Sequence, residues 1–101
     1  MREASVSQQG VLAGVLRELD TGGFEFEYWP GYTGLAVSLT LPVRYEVYRF
    51  PDFPAFFEGL LPEGPQLEAL LRKCKLDQKD YFGQLLQVGN DVVGSVTVRP
   101  R

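Results

Sequence analysis

The sequence predicts an α+β domain: a small antiparallel sheet, open or barrel-like, with two or three short helices inserted before the last strand. Three observations carry this. Phe24, Phe26 and Tyr28 alternate with Glu25 and Glu27, the period of a half-buried strand. From Phe53 onward the apolar spacing becomes i, i+3, i+4, i+7, the period of a helix with one face on a core. After Gly89-Asn90-Asp91 the period returns to two, with Val92, Gly94, Val96 and Val98 opposing Val93, Ser95 and Thr97.

The elements follow in order. Val6 and the run Val11 to Leu19 flank a polar turn, Gln8-Gln9-Gly10, and form a hairpin. In the second run Val11, Ala13 and Val15 share one face and Leu12, Gly14 and Leu16 the other, so both faces are apolar. That suits a strand covered on two sides or a curved small barrel. Gly14 inside it signals a bulge or a close backbone approach. Asp20-Thr21-Gly22-Gly23 reverses the chain into the Phe24 to Tyr28 strand, whose glutamates face water. Trp29-Pro30-Gly31-Tyr32-Thr33-Gly34 is a loop. Leu35, Val37, Leu39 and Leu41 then alternate with Ala36, Ser38 and Thr40, which predicts another strand closed by Pro42. Val43 to Tyr48 reads as a short strand or an extended loop.

Asp52 is placed to cap a first helix, with Phe53, Phe56, Phe57 and Leu60 on one face. Pro65 opens a second helix with Leu67, Leu70, Leu71 and Cys74 on one stripe. Arg72, Lys73 and Lys75 in its last turn complement the helix dipole. Asp77 is the expected cap of a third helix, with Asp80 in the place of a capping-box acid. Its stripe is Tyr81, Leu85 and Val88, widened by Phe82 and Leu86, and Gly89 ends it. The final strand ends at Pro100. Phe24, Phe26, Leu39, Phe56, Leu70, Leu85 and Val96 are the expected core.

Composition narrows the function. The chain has 101 residues, 45% hydrophobic and 23% charged, enough for one domain spanning 1–101 with one core. It has no histidine, which removes His-based triads and the usual catalytic zinc sites. Cys74 is its single cysteine, so an internal disulfide or Cys-x-x-Cys pair is excluded, and its stripe makes it a small buried hydrophobe. Neither Gly31 to Gly34 nor Gly89 to Gly94 fits a phosphate loop. The expectation is a non-enzyme without cofactor or metal. A net charge of −3 disfavours DNA binding by the chain alone. Neither a secretory signal nor a membrane span is visible, which points to the cytoplasm. Seven Phe, five Tyr and one Trp are many for this length, and Trp29 and Tyr32 fall in a Pro/Gly loop. Exposed aromatics of that kind anchor protein contacts, so recognition is the expected class.

Phe56-Phe57-Glu58-Gly59-Leu60-Leu61-Pro62-Glu63-Gly64 resembles the F-F-x-N-L-L-P-[DE]-G signature in the N-terminal subdomain of HipA-type serine/threonine kinases, with Gly59 at the asparagine position. Phe24 to Tyr28 resembles the family's F-x-Y strand, and Ala36 to Pro42 its [AP]-[IL]-S-[LI]-S-L-P block. Asp80 to Val96 is similar to its D-x-F-x-L-L-x-x-x-G-x-D-x-x-G-A-V block. The blocks lie in the family's order. The kinase core that follows in a full toxin has no counterpart here, which resembles the small separate subunit (HipS) of three-component HipBST toxin–antitoxin systems.

The resemblance implies an antitoxin that binds and neutralises a HipA-like (HipT-type) kinase, within a complex that includes a HipB-like helix-turn-helix protein. The alternative is an accessory domain that aids substrate or partner recognition without inhibiting. The expected partner-binding residues are Leu61, Pro62, Glu63, Gly64, Pro65 and Gln66, together with Trp29 and Tyr32. Glu63 offers a carboxylate to a partner cation, and Pro62 and Pro65 stiffen the loop before binding.

Overall fold

The computed structural model describes residues 2–91 and 94–101. Strands β1 (Glu3–Gln8), β2 (Val11–Glu18), β3 (Phe24–Tyr28) and β4 (Tyr48–Phe50) precede helices α1 (Ala55–Glu58), α2 (Gly64–Cys74) and α3 (Tyr81–Val88), and β5 (Val96–Pro100) ends the fold. The sheet order is β4-β3-β2-β1-β5, antiparallel throughout. The sheet is open rather than barrel-like: β4 and β5 are its edges.

The period-2 pattern divides the sheet into two faces. Ala4, Val6, Leu16, Phe26, Val96 and Val98 are buried on the helix side with Phe57, Phe82 and Leu85. Aromatic edges lock this layer, with Phe24 against Phe53 at 5.3 Å and Phe26 against Phe57 at 5.7 Å. The opposite face carries the charges. Arg17 reaches Glu27 at 2.9 Å and Glu3 at 3.5 Å, and Arg49 reaches Glu25 at 3.1 Å. Glu25 and Glu27 are thus a solvated sheet face, where such pairs set register more than stability.

Gly14 is a close approach, as its place in a strand implies. A Cβ there would collide with the Glu27 carbonyl on β3. A bulge lies beside it, where the pairing jumps from Val6↔Gly14 to Ser7↔Leu12. Ala13 is the extra residue, so the strict alternation expected along 11–16 breaks. Ala13 and Leu16 both join the core, while Val11 and Leu12 stand in solvent.

Several expectations are corrected. The strand over 35–41 does not form. Tyr28 intercepts it: the hydroxyl donates to Leu41 O and accepts from Val37 N at 3.0 Å. Between these pins the Ser38 hydroxyl accepts from Thr40 N at 3.2 Å, and Leu41 N donates to Ser38 O at 3.1 Å. The segment is therefore a tight turn with one bridge, Ser38 to Leu41. Val37 and Leu41 are buried, but Leu39 at the tip is 100% exposed rather than core. Of the other expected core residues, Phe26, Leu85 and Val96 are buried, whereas Phe24, Phe56 and Leu70 are half-buried.

Asp52 does not cap α1; Pro54 is its N-cap, without a side-chain bond. Asp80, not Asp77, caps α3, accepting from Gly83 N at 3.1 Å. Asp77 is diverted into a local turn, accepting from Lys79 N at 2.7 Å. β5 starts at Val96, and the part of that expected strand at Val92 and Val93 lies outside the described residues. Helix α2 buries none of its residues, so Cys74 is half-exposed instead of sealed in a core.

The chain start is tied across the fold. Arg2 makes paired bonds to Glu18 and Asp80, the shortest to each at 2.7 Å, linking β2 to the cap of α3. The guanidinium holds both carboxyls below their usual range, mainly through these hydrogen bonds. No helix among the described residues is long and apolar enough to cross a membrane.

Candidate functional site

The loop after α1 is built by two short turns. Leu60 N donates to Phe57 O and Leu61 N to Glu58 O, both at 3.1 Å. Pro62 then ends any helical continuation. Glu63 is extended and Gly64 has φ +61, a conformation that favours glycine, so the chain turns sharply into α2 with Pro65 in its first turn.

This path props α2 away from the sheet and opens a cavity of about 620 Å³ between the loop, α2 and the end of α3. Leu60, Leu61, Pro62, Leu70 and Val88 supply its apolar wall. Gln66, Lys73, Cys74, Gln87 and Asp91 supply its polar edge. The Cys74 thiol donates weakly to Gln87 Oε1 at 3.7 Å. The hollow is an open groove with an apolar wall and a few polar groups at its edge. Among the described residues no group of three or more His, Cys, Asp or Glu is placed to hold a metal ion.

The expected partner residues divide. Leu61, Pro62 and Gln66 line this cavity. Glu63, Gly64 and Pro65, between Pro62 and Gln66 in sequence, are exposed at the N-cap and first turn of α2 and do not line the cavity. Trp29 and Tyr32 belong elsewhere, around a hollow of about 180 Å³ with Tyr28, Val43, Arg44 and Tyr45. Tyr32 stacks on Tyr28 at 5.7 Å and donates to Leu35 O at 2.6 Å. Trp29 is half-buried, with the Arg101 guanidinium 5.0 Å from its ring centre. The two hollows share no lining residue. Leu70, Cys74 and Val88 complete the main cavity; the sequence marks them as members of helical stripes, a pattern that does not distinguish a core face from a cavity wall.

The model of the HipA N-terminal domain family matches residues 4–99. The chain belongs to this family. It corresponds to the non-catalytic N-terminal region of HipA, and a kinase core forms no part of the match. An uncharacterized protein of Haemophilus influenzae is 31% identical over 99 residues, covering 98% of this chain and 92% of that protein. The Sinorhizobium fredii protein named "Putative kinase Y4dM" is 34% identical over 70 residues, which are 65% of this chain and 17% of that protein. Among solved structures, an N-terminal domain of HipA toxin superposes with TM-score 0.78 at 28% identity, covering 100% of this chain and 93% of that one. A chain of the Shewanella oneidensis HipA, HipB and operator DNA complex superposes with TM-score 0.74. At 20% identity, over 97% of this chain and 24% of that one, it shares the fold.

Proposed function

We propose that this chain is a non-catalytic partner domain of a HipA-type serine/threonine kinase, acting by protein contact within a cytoplasmic toxin–antitoxin assembly. The open cavity beside Leu61, Pro62 and Gln66 carries this reading: it presents apolar walls on a domain whose longer relatives continue far beyond it. The kinase inserts an apolar segment there, and the exposed Glu63 meets a cation at the rim. A HipB-like helix-turn-helix protein supplies DNA contact, since this chain carries a net charge of −3.

Neutralisation of the kinase is the second reading, and the Haemophilus relative favours it. That protein is covered over 92% of its length, so it has little room for a kinase core of its own. A domain of this size acts on a kinase in trans, by entering its cleft or by holding its N-lobe inactive.

The test is gel filtration of this chain with a HipA-type kinase from the same organism, followed by a phosphotransfer assay. A complex with unchanged or raised activity supports the accessory reading. A complex with lost activity supports neutralisation. No complex with the matched kinase sinks both. Glu63→Arg is expected to weaken the complex roughly tenfold, about 1.4 kcal/mol, without changing the thermal midpoint.

A further inference from the structure

We propose that the end of the sheet formed by the β1–β2 turn and the loop over 29–45 is a second contact surface, which docks on an uncharged apolar face of the kinase. This rests on the kinase reading above but concerns a different surface, with no residue shared with the cavity beside α2.

Six of the seven large hydrophobic residues exposed among those described gather in these two segments. They are Val11 (59%), Leu12 (46%), Leu35 (61%), Leu39 (100%), Val43 (41%) and Tyr45 (87%). The segments are joined in space. Gln8, itself buried, donates from Nε2 to Ala36 O at 2.9 Å, and Trp29 N donates to Ala13 O at 2.8 Å. The surface is also presented rigidly. The Tyr28 hydroxyl pins Val37 and Leu41, and Ser38 and Thr40 close the turn between them with their hydroxyls 3.0 Å apart. Leu39 is thus held out at a fixed tip at little further cost in order on binding.

Charge selects the occupant. No charged residue occurs from Ala4 to Leu16 or from Trp29 to Val43, although the chain is 23% charged; Arg44, between Val43 and Tyr45, is the one charge in the two segments, and its guanidinium lies over the Tyr48 ring at 3.6 Å. A nucleic acid would require a cluster of cations, and Arg44 is the single one in these segments. A charged protein face would lose hydration without finding a counter-charge. An apolar, uncharged protein face fits. The longer relatives supply the candidate body: this domain matches 17% and 24% of their chains, so in them it is attached to a much larger remainder. Contiguous apolar patches above a few hundred Å² mark such interaction sites.

The test measures the dissociation constant for the HipA-type kinase of the same organism by titration calorimetry, for the full chain and for Leu39→Asp and Leu35→Asp. Leu39 is fully exposed, so its replacement removes no packing, and thermal midpoints check that both variants fold. The expected result is at least a tenfold weaker complex for Leu39→Asp, with an unchanged midpoint. Wild-type affinity in both folded variants would overturn the inference while leaving the kinase reading intact. No binding by the unmodified chain would instead remove the kinase reading itself. A homodimer that persists within the kinase complex and dissociates with Leu39→Asp assigns the surface to a second copy and also overturns the inference.

Discussion

Removing one oxygen atom, in Tyr28→Phe, is expected to release the loop that carries Leu39. The hydroxyl donates to Leu41 O and accepts from Val37 N at 3.0 Å, between residues that are 3–4% exposed. Burial also raises the Tyr28 pKa above its usual value, so the hydroxyl keeps its proton and its donor role through the neutral range. Phenylalanine fills the same space and keeps the ring stacked on Tyr32, so neither a cavity nor overpacking enters. What changes is that a buried N–H and a buried C=O lose their partner. Each such orphan costs about 1–3 kcal/mol, so a loss of about 2–6 kcal/mol is expected. For a domain of this size that lowers the thermal midpoint by on the order of 10–40 °C. Urea unfolding followed by fluorescence reads the loss as a lower midpoint at constant slope. Hydrogen exchange is expected to show the Val37 amide losing protection. A loss under about 0.5 kcal/mol, with Val37 still protected, would refute the pinning role of this hydroxyl.

Two further outcomes follow from the geometry. Glu18 and Asp80 have lowered pKa values in the fold, chiefly through their bonds to Arg2. Their contribution is complete above the unfolded values of about 4.3 and 3.9, and is lost as pH falls from there through the folded values. Arg2→Met is expected to flatten this part of the acid limb in urea titrations from pH 6 to pH 3; coincident wild-type and variant slopes would argue against the clamp. Cys74 sits half-exposed at the cavity edge, so it is expected to react with a maleimide in the native state and to be shielded when the kinase is bound. Native labelling as slow as that of a buried thiol would put α2 closer to the body than its geometry shows.

The parts of the fold that were legible in the sequence are those where one face alone decides burial. Phe24 to Tyr28 meets the core on one side and charge on the other, and its alternation maps directly onto β3. The Gln9-Gly10 turn forms with both residues at positive φ, as the polar break between two apolar runs implies. Capping was less legible, because Asp77 and Asp80 are equivalent in type and only the third dimension distinguishes them. Asp80 alone faces Arg2, a residue distant in sequence. The 35–41 segment failed for a related reason. Its alternation is sound, but a hydroxyl on β3 captures the backbone groups that a neighbouring strand would have used.

The misplaced core residues share a direction. Leu39 and Leu70 were both expected inside, and both lie further out than their patterns imply; Cys74 does the same. Apolar periodicity reports which residues are kept from water in the working state of a protein, and it does not say which chain does the covering. A helix such as α2, with a leucine stripe and no buried residue, is marginal alone because tertiary burial supplies most helical stability. A turn with a fully exposed leucine at its tip gains nothing from that leucine within the domain. Both features become favourable when a second apolar surface closes over them. On the proposed reading the same patterns that misplace residues in the isolated fold trace the surfaces its partner covers.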